Sequence, residues 1–449
     1  MVRAQLLVLV LISAILTGCF SDSDETGTEY EYNLIERQID AERGQHFSMP
    51  ISTSESWKVT AGPGIFVQDE FGVHRDFENV TLPASQDVLT FLSLDTELDS
   101  SWLKIYHANG TTEHINVSFS DSTSLMVVDG VRAYDTIDML TSEHNNRWCA
   151  SASLHEGGAN YAASAEAMKD WMLTMGFDHV EVTDYPDDPD QKNVVGYNYG
   201  RLYPDEYIVV GGHFDIAYMF TPPGGGTNEG ANDDTSGSTV SLELAQALAT
   251  MEFDHTVVAA LWACEEEGLL GSLAYVANLP DNVSVKAYMN FDMVALNYPI
   301  IPPSEPLVGP GGEIFSATKY DWTISIAGAN DSNMQRMYDW VSLTIDEDLA
   351  YKPTQANPIV WQIAESCASD HCSFFSSGYP TFNFFSPGGD ISFWQEWHSP
   401  SDTLEFMTAK AGGQAGMASG FNSLVWTSLN LFIYVDNSGP DFQGNWVDE

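Results

Sequence analysis

The rhythm of apolar positions changes near residue 130. Before it, short runs rich in β-formers recur: Val88-Leu89-Thr90-Phe91-Leu92-Ser93-Leu94, Trp102-Leu103-Lys104-Ile105-Tyr106 and His114-Ile115-Asn116-Val117-Ser118-Phe119. Turn signals at Asn109-Gly110 and Gly62-Pro63-Gly64 separate such runs, and no long helical period intervenes. Residues 30–125 are therefore predicted to form a small β-sandwich. Beyond them, Met168, Trp171, Met172 and Met175 fall at helical spacing, with Gly176 as a stop. Strands and helices then alternate. Residues 207–213 read as a buried strand, followed by a helix after Asp234 with Val240, Leu244, Leu248 and Met251 on one face. A strand at 256–262, a helix from Gly268 to about Leu279 and a strand at 286–291 continue the pattern. A helix at 331–345 carries Met334, Met337 and Val341, and a helical stretch broken by glycines runs from about 403 to 433. This alternation predicts a three-layer α/β domain over 130–437, with a mixed, largely parallel twisted sheet flanked by helices.

The two ends of the chain read differently. Met1-Val2-Arg3, an apolar run from Leu6 to Leu16 and then Thr17-Gly18-Cys19 describe an export signal over 1–18, too short to span a bilayer as a stable helix. Leu16-Thr17-Gly18-Cys19 resembles the lipobox of bacterial-type lipoproteins, which implies a lipid on Cys19 and a polar tether over 19–29. The chain is then expected outside the cytoplasm, as an anchored lipoprotein or a periplasmic or extracellular protein. Residues 438–449 form an acidic tail.

Composition narrows the partners. At 449 residues, 44% hydrophobic and 12% aromatic, the chain can build more than one packed core. With 64 acidic residues against 16 basic ones the net charge is −48, which excludes nucleic acid and anionic lipid surfaces as partners. The acid is spread along the chain, as on a solvated surface. No feature fixes an oligomeric state. Export places Cys149, Cys264, Cys367 and Cys372 in an oxidising compartment, where they allow three pairings or free thiols. Cys264 lies in an apolar run and is expected to be buried.

The chemistry-bearing residues gather at element ends. His213, Glu265, Glu266 and Asp292 stand at or just past the ends of predicted strands, Asp233 just before a helix and His398 ahead of the last helical stretch. In an open α/β sheet such positions converge on one crevice. Two histidines and three carboxylates suit zinc and would accept cobalt or manganese. Glu265 and Glu266 are neighbours whose side chains diverge, so one binds metal while the other faces water. That combination predicts metal-assisted amide hydrolysis. The scattered His46, His74, His107 and His114 are read as structural. So is the second Gly-Ala-Asn-Asp at 328–331, which lacks an upstream histidine. Glu267 is read as a solvated or capping residue.

Several words in the chain carry a resemblance: Val209-Val210-Gly211-Gly212-His213-Phe214-Asp215, Gly230-Ala231-Asn232-Asp233-Asp234-Thr235-Ser236-Gly237, Glu265-Glu266-Glu267-Gly268-Leu269-Leu270-Gly271-Ser272, Asn290-Phe291-Asp292-Met293, Ser369-Asp370-His371, Gly378-Tyr379-Pro380 and His398-Ser399-Pro400-Ser401-Asp402-Thr403. In this order, over about 130–435, they resemble the co-catalytic di-zinc aminopeptidases, the group of secreted bacterial leucyl aminopeptidases, glutamate carboxypeptidase and glutaminyl cyclase. The resemblance implies two zinc ions per chain. His213 and Asp292 would hold one, Glu266 and His398 the other, and Asp233 would bridge them. Glu265 would be the general base acting on a metal-bridged hydroxide, with Asp215 orienting His213. A cis peptide between Asp233 and Asp234 is implied as well. His371 is expected to support the site without binding metal. Some members place a tyrosine ahead of Ser-Asp-His within a cysteine-bracketed turn; here the neighbours are Glu365, Ser366 and Cys367.

The expected activity is an exopeptidase removing N-terminal residues from peptides. Carboxypeptidase or dipeptidase action would need basic groups to grip a substrate carboxylate, and none adjoins the motifs. Glutaminyl cyclase relatives work with one zinc. A receptor-like ectodomain would lack ligands, and none is missing. Met219, Phe220 and the aromatics between Phe382 and Trp394 suggest an apolar substrate preference.

Overall fold

A computed structural model describes residues 34–438 except 52–56, 70–71, 83–85, 96–97, 151–154, 186–187, 219–226 and 386–395; within 296–367 it describes only 307–308, 314–315, 322–327, 336–337, 341 and 359–363. The expected signal, the tether with Cys19, the tail beyond 438, Met219, Phe220 and the segment 364–367 lie outside the described residues, as does most of the expected helix at 331–345. So does the second Gly-Ala-Asn-Asp.

Among the described residues, nine strands precede residue 125: β1 (Leu34–Glu42), β2 (His46–Pro50), β3 (Trp57–Ala61), β4 (Ile65–Gln68), β5 (Val73–His74), β6 (Val80–Leu82), β7 (Val88–Ser93), β8 (Ser100–His107) and β9 (Thr112–Ser120). They form one sheet in the order β1-β9-β8-β3-β6 and another in the order β2-β7-β4-β5. Successive side chains of a strand point to opposite faces. Thus Val67 and Phe91 enter a core shared with Val59, Leu103, Ile105 and Val117 of the first sheet. Their neighbours Phe66 and Leu92 point the other way, into the core of the α/β region beyond residue 125. The second sheet is therefore buried on both faces and fixed to that region. Asn437 Nδ2 donates to the Val73 carbonyl at 2.9 Å, and the Arg75 guanidinium lies 3.2 Å above the Tyr434 ring centre.

The remaining elements are α1 (Gly130–Glu143), α2 (Tyr161–Met175), β10 (His179–Tyr185), β11 (Asp188–Asn198), β12 (Tyr203–His213), α3 (Thr235–Leu248), β13 (His255–Trp262), α4 (Leu270–Ala277) and β14 (Ser284–Asp292). Next come a ribbon of β15 (Leu307–Val308) and β16 (Ile314–Phe315), then β17 (Trp322–Ala327), β18 (Ile359–Ile363), α5 (His371–Ser376), β19 (Thr381–Phe385), α6 (Leu404–Lys410) and α7 (Gln414–Asn437). Eight strands form one sheet, β10-β11-β13-β12-β14-β19-β17-β18. Its centre, β13-β12-β14-β19, is parallel, as is β17-β18, while β10-β11, β11-β13 and β19-β17 are antiparallel.

Alternate residues of the central strands feed opposite layers. Ile208, Val210, Val257, Ala259 and Leu261 pack with residues of α1, α2, α3 and α7. Val209, Val258, Ala260 and Trp262 pack with Tyr275 of α4 and Phe374 of α5. β13 is buried at every position, which explains why its sequence is a continuous apolar run without alternation. Gly412 and Gly413, with φ of 80° and 109°, separate α6 from α7, so the expected last helical stretch is two helices.

Candidate metal centre

The three parallel strands β13, β12 and β14 deliver the site to one edge. His213, the last residue of β12, pairs with Trp262 at the end of β13, and Gly211 pairs with Asn290, two residues before Asp292. Glu265 and Glu266 lie just beyond β13. The N-terminus of α3 opens on the same edge, where Asp234 caps it by accepting from the Gly237 amide at 2.9 Å. Glycine at 212 and 237 permits this approach: a Cβ on either would collide with the Phe291 carbonyl. The Asp233–Asp234 peptide is cis. Cys264, Met293 and His398, each in or beside the site, adopt left-handed φ of 56°, 55° and 52°. Non-glycine residues persist there when their surroundings hold them.

Two clusters of donor atoms result. His213, Asp234 and Asp292 offer ligand atoms within 4.8 Å of one another, and so do Asp233, Glu266 and His398. Asp233 joins them. Its Oδ1 lies 3.4 Å from His213 Nε2 and its Oδ2 3.2 Å from His398 Nε2. His398 Nε2 is 2.9 Å from Glu266 Oε2. Glu265 belongs to neither cluster, and its Oε2 stands 3.8 Å from His213 Nε2. The six residues expected to meet are thus together.

The electrostatics call for added positive charge. Burial pushes the carboxyl of Glu265 up to about 11, Glu266 to about 7 and Asp292 to about 6, each helped by neighbouring acids. Asp234 is raised well above its ordinary value, again by burial first. Asp233 goes the other way, because bonds to His213 and His398 outweigh its burial. Burial opposes charge on His398, yet Asp233 and Glu266 raise it to about 10. Glu266 Oε1 and Asp234 Oδ2 are buried without hydrogen-bond partners. Buried acids with unspent lone pairs, beside histidine nitrogens, fit divalent cations of the zinc type.

The surrounding frame departs in part from expectation. Asp215 touches His213 mainly through its backbone: His213 Nδ1 is 3.0 Å from the Asp215 carbonyl oxygen and 3.5 Å from its carboxylate. The carboxylate itself accepts from the backbone amides of Glu265 at 3.0 Å and Glu266 at 3.3 Å, tying two loops together. Glu267 is a paired residue: its Oε1 lies 3.0 Å from His155 Nε2. His371 opens α5, is buried and belongs to neither cluster. Cys149 and Cys264 form a disulfide, one of the pairings left open by the sequence, and Cys372 is disulfide-bonded too.

Four supports escape sequence reasoning. Asp234 contributes an oxygen to the first cluster; its place directly after Asp233 at a helix start is the one signal that could have marked it. Asp402, four residues beyond His398, accepts from the amides of Asn232 at 2.9 Å and Asp233 at 3.0 Å, so it holds the Asp233 backbone. Trp397 Nε1 donates to Asp233 Oδ2 at 2.7 Å. Arg147, fully buried, donates to the Phe214 carbonyl at 2.8 Å and to Thr235 Oγ1 at 2.5 Å, placing a positive charge near Asp215 and Asp234. No motif marks Arg147.

The mixed α/β sheet that carries these two clusters has a counterpart among solved structures. The fold is similar to that of the Legionella pneumophila LapA aminopeptidase, with a TM-score of 0.50 at 18% identity over 69% of this chain and 73% of that one. Residues 193–419 match the model of peptidase family M28, and the chain belongs to that family. The match contains both clusters and leaves β1–β9 outside. A probable zinc metalloprotease of Pyrenophora tritici-repentis is 30% identical over 199 residues, covering 42% of this chain and 44% of the relative. A probable leucine aminopeptidase 2 of Aspergillus fumigatus is 27% identical over 242 residues, covering 52% and 40%. The chain spans less than half the length of these curated relatives.

Proposed function

We propose that the chain is a zinc-dependent aminopeptidase acting on peptide N-termini outside the cytoplasm. The observation that carries this reading is the division of Asp233 between the two histidines, 3.4 Å to His213 and 3.2 Å to His398. A carboxylate so placed would offer one oxygen to each of two ions. His213 and Asp292, with Asp234 Oδ2 in reach, would hold one zinc; Glu266 and His398 would hold the other. Two zinc ions bound there would lower the pKa of water, polarise the scissile carbonyl and neutralise the acids. Glu265, outside both clusters and beside them, takes the proton of the attacking water on its carboxylate and passes it to the leaving amine. Asp215 fixes the Glu265 and Glu266 backbones, so the base and its ligand neighbour keep their divergent aim. Trp397 and Asp402 hold Asp233, the first by its side chain and the second by its amide.

The Cys149–Cys264 disulfide supports an oxidising compartment, in keeping with an export signal and a lipid on Cys19. No described helix is long and apolar enough to cross a membrane. The test is a zinc count together with hydrolysis of aminoacyl-anilides, with and without chelator. Two zinc per chain and chelator-sensitive release of the anilide are expected. A single zinc with cyclisation of N-terminal glutamine would replace this reading by glutaminyl cyclase, and unimpaired hydrolysis after complete metal removal would end it.

A further inference from the structure

A second cleft lies at the opposite end of the sheet. Tyr207 precedes His213 by six residues on β12, roughly 20 Å away at ~3.3 Å per residue. Around Tyr207, the residues Tyr197, Tyr199, Tyr275, Glu181 and His179 line a cleft of about 360 Å³, within the usual size of ligand sites. Four phenol rings from two strands, a helix and the loop after β11 therefore meet one carboxylate, Glu181 of β10. Tyr197 and Tyr199 are nearly parallel, with an interplanar angle of 12° and ring centres 6.3 Å apart. Tyr207 stands across Tyr197 at 62°. Tyr199 is 52% exposed, so its ring is open to a visitor.

The charge around these rings has one sign. Glu181 is the only carboxylate of the lining and is 44% exposed; no lysine or arginine lines the cleft among the described residues. Glu181 Oε1 accepts from the Tyr197 hydroxyl at 3.4 Å and Oε2 lies 3.6 Å from His179, itself half-exposed, so the carboxylate faces the cleft and solvent together. The chain as a whole carries −48. Aromatic faces grouped about an acid attract an organic cation through the ring quadrupoles and the carboxylate together, whereas a neutral sugar would gain nothing from the charge. We propose that this cleft binds the side-chain cation of a peptide, a guanidinium or ammonium group, and so acts as a docking site remote from the metal centre.

The test is calorimetric titration of the full chain with Nα-acetyl-arginine methylamide and Nα-acetyl-lysine methylamide, whose blocked amines keep them from being aminopeptidase substrates. Nα-acetyl-norleucine methylamide and maltose serve as neutral comparators. Saturable binding of at least one cationic probe is expected, and the stronger of the two identifies the source. Glu181→Gln and Tyr199→Ala should each weaken it by about three- to thirty-fold, while Asp233→Asn, at the other edge, leaves it intact. Both substitutions are at exposed positions, and retained far-ultraviolet dichroism checks their folding. Equal binding of norleucine or maltose, no saturable binding, binding indifferent to both cleft variants, or binding lost in Asp233→Asn would each overturn the proposal.

Discussion

Two buried ionic clusters sit at opposite ends of the same strands, and they are built differently. At the start of β13 and β14, His255, Lys286 and Asp436 are all shielded from solvent. His255 Nδ1 donates to Asp436 Oδ1 at 2.9 Å, Lys286 Nζ donates to His255 Nε2 at 3.0 Å, and Glu206 approaches His255 at 3.6 Å. Both ring nitrogens of His255 and the Lys286 amine find partners there. At the other end, Asp233, Asp234, Glu265, Glu266 and Asp292 face two histidines and Arg147, and two of their oxygens find no partner. A cluster whose donors and acceptors meet one another suits a scaffold, whereas one that leaves a surplus of buried acid suits cations.

The largest contrast should come from the unbalanced end. Glu265→Gln is expected to keep both metals while turnover falls about 10²–10⁴-fold, the range for a positioned acid/base. The pair of measurements is metal content and kcat on an aminoacyl-anilide. Near-normal kcat would remove Glu265 from its role, and lost metal would make it a ligand. His398→Ala should instead lower metal content, while His371→Ala largely preserves it.

The balanced end should answer with stability. Asp436→Ala removes the acid bonded to His255 Nδ1 and leaves Glu206, 3.6 Å from Nε2, as its acidic neighbour, and breaking one partner of a buried pair typically removes about 3–5 kcal/mol. The loss should fall toward the lower figure, because burial already lowers Lys286 to about 8 and the amine can shed its proton. Chemical denaturation of the zinc-loaded protein measures it. Unaltered metal content in the folded fraction is also expected; a variant that stays stable but loses zinc would mean the two ends are not independent.

Acidity sharpens the comparison further. Without metal, burial holds Glu266 and Asp292 up at about 7 and about 6, against ordinary values of 4.5 and 3.8. In that window the folded chain binds more protons than the unfolded chain. The stability of stripped protein therefore falls as pH rises from about 4 to about 7. Zinc replaces those protons and binds more tightly as they leave. The difference in Tm between zinc-loaded and chelator-treated protein should widen from pH 5 to pH 8. A constant or shrinking difference would show that these acids do not hold the ions.

How much of this could be read from sequence depends on how local each signal is. The strands ending at His213 and Asp292 announce themselves as apolar runs, and the acids sit directly beyond such ends, so their convergence comes from sheet topology. β11 does not announce itself: it begins Asp188-Pro189-Asp190-Gln191-Lys192, and only Val194 and Val195 read as strand. The helix α1 is equally quiet, since its apolar residues are interleaved with polar ones. Arg147 reaches Phe214 and Thr235 from 67 and 88 residues away, with no local pattern to betray it. The Cys149–Cys264 pairing spans 115 residues and is likewise a product of tertiary structure. Asp215 shows the intermediate case: its closeness to His213 is local and legible, but its bonds to the Glu265 and Glu266 amides are not.

Glu267 offers the smallest effect and the finest control. It is the third acid of the run proposed to supply the base and a ligand, yet it turns away to His155 at 3.0 Å, where His155 stacks on Tyr218 with ring centres 3.9 Å apart. Its side chain is 24% exposed and that of His155 only 7%, so the pair is part-buried. Glu267→Gln keeps an acceptor for His155, so it should change stability by only about 1 kcal/mol and leave the zinc count at its wild-type value. Because Glu265, Glu266 and Glu267 are consecutive, loss of zinc in this variant would mean that adjacency in sequence, rather than the direction in which each carboxylate points, decides which acids serve the metals.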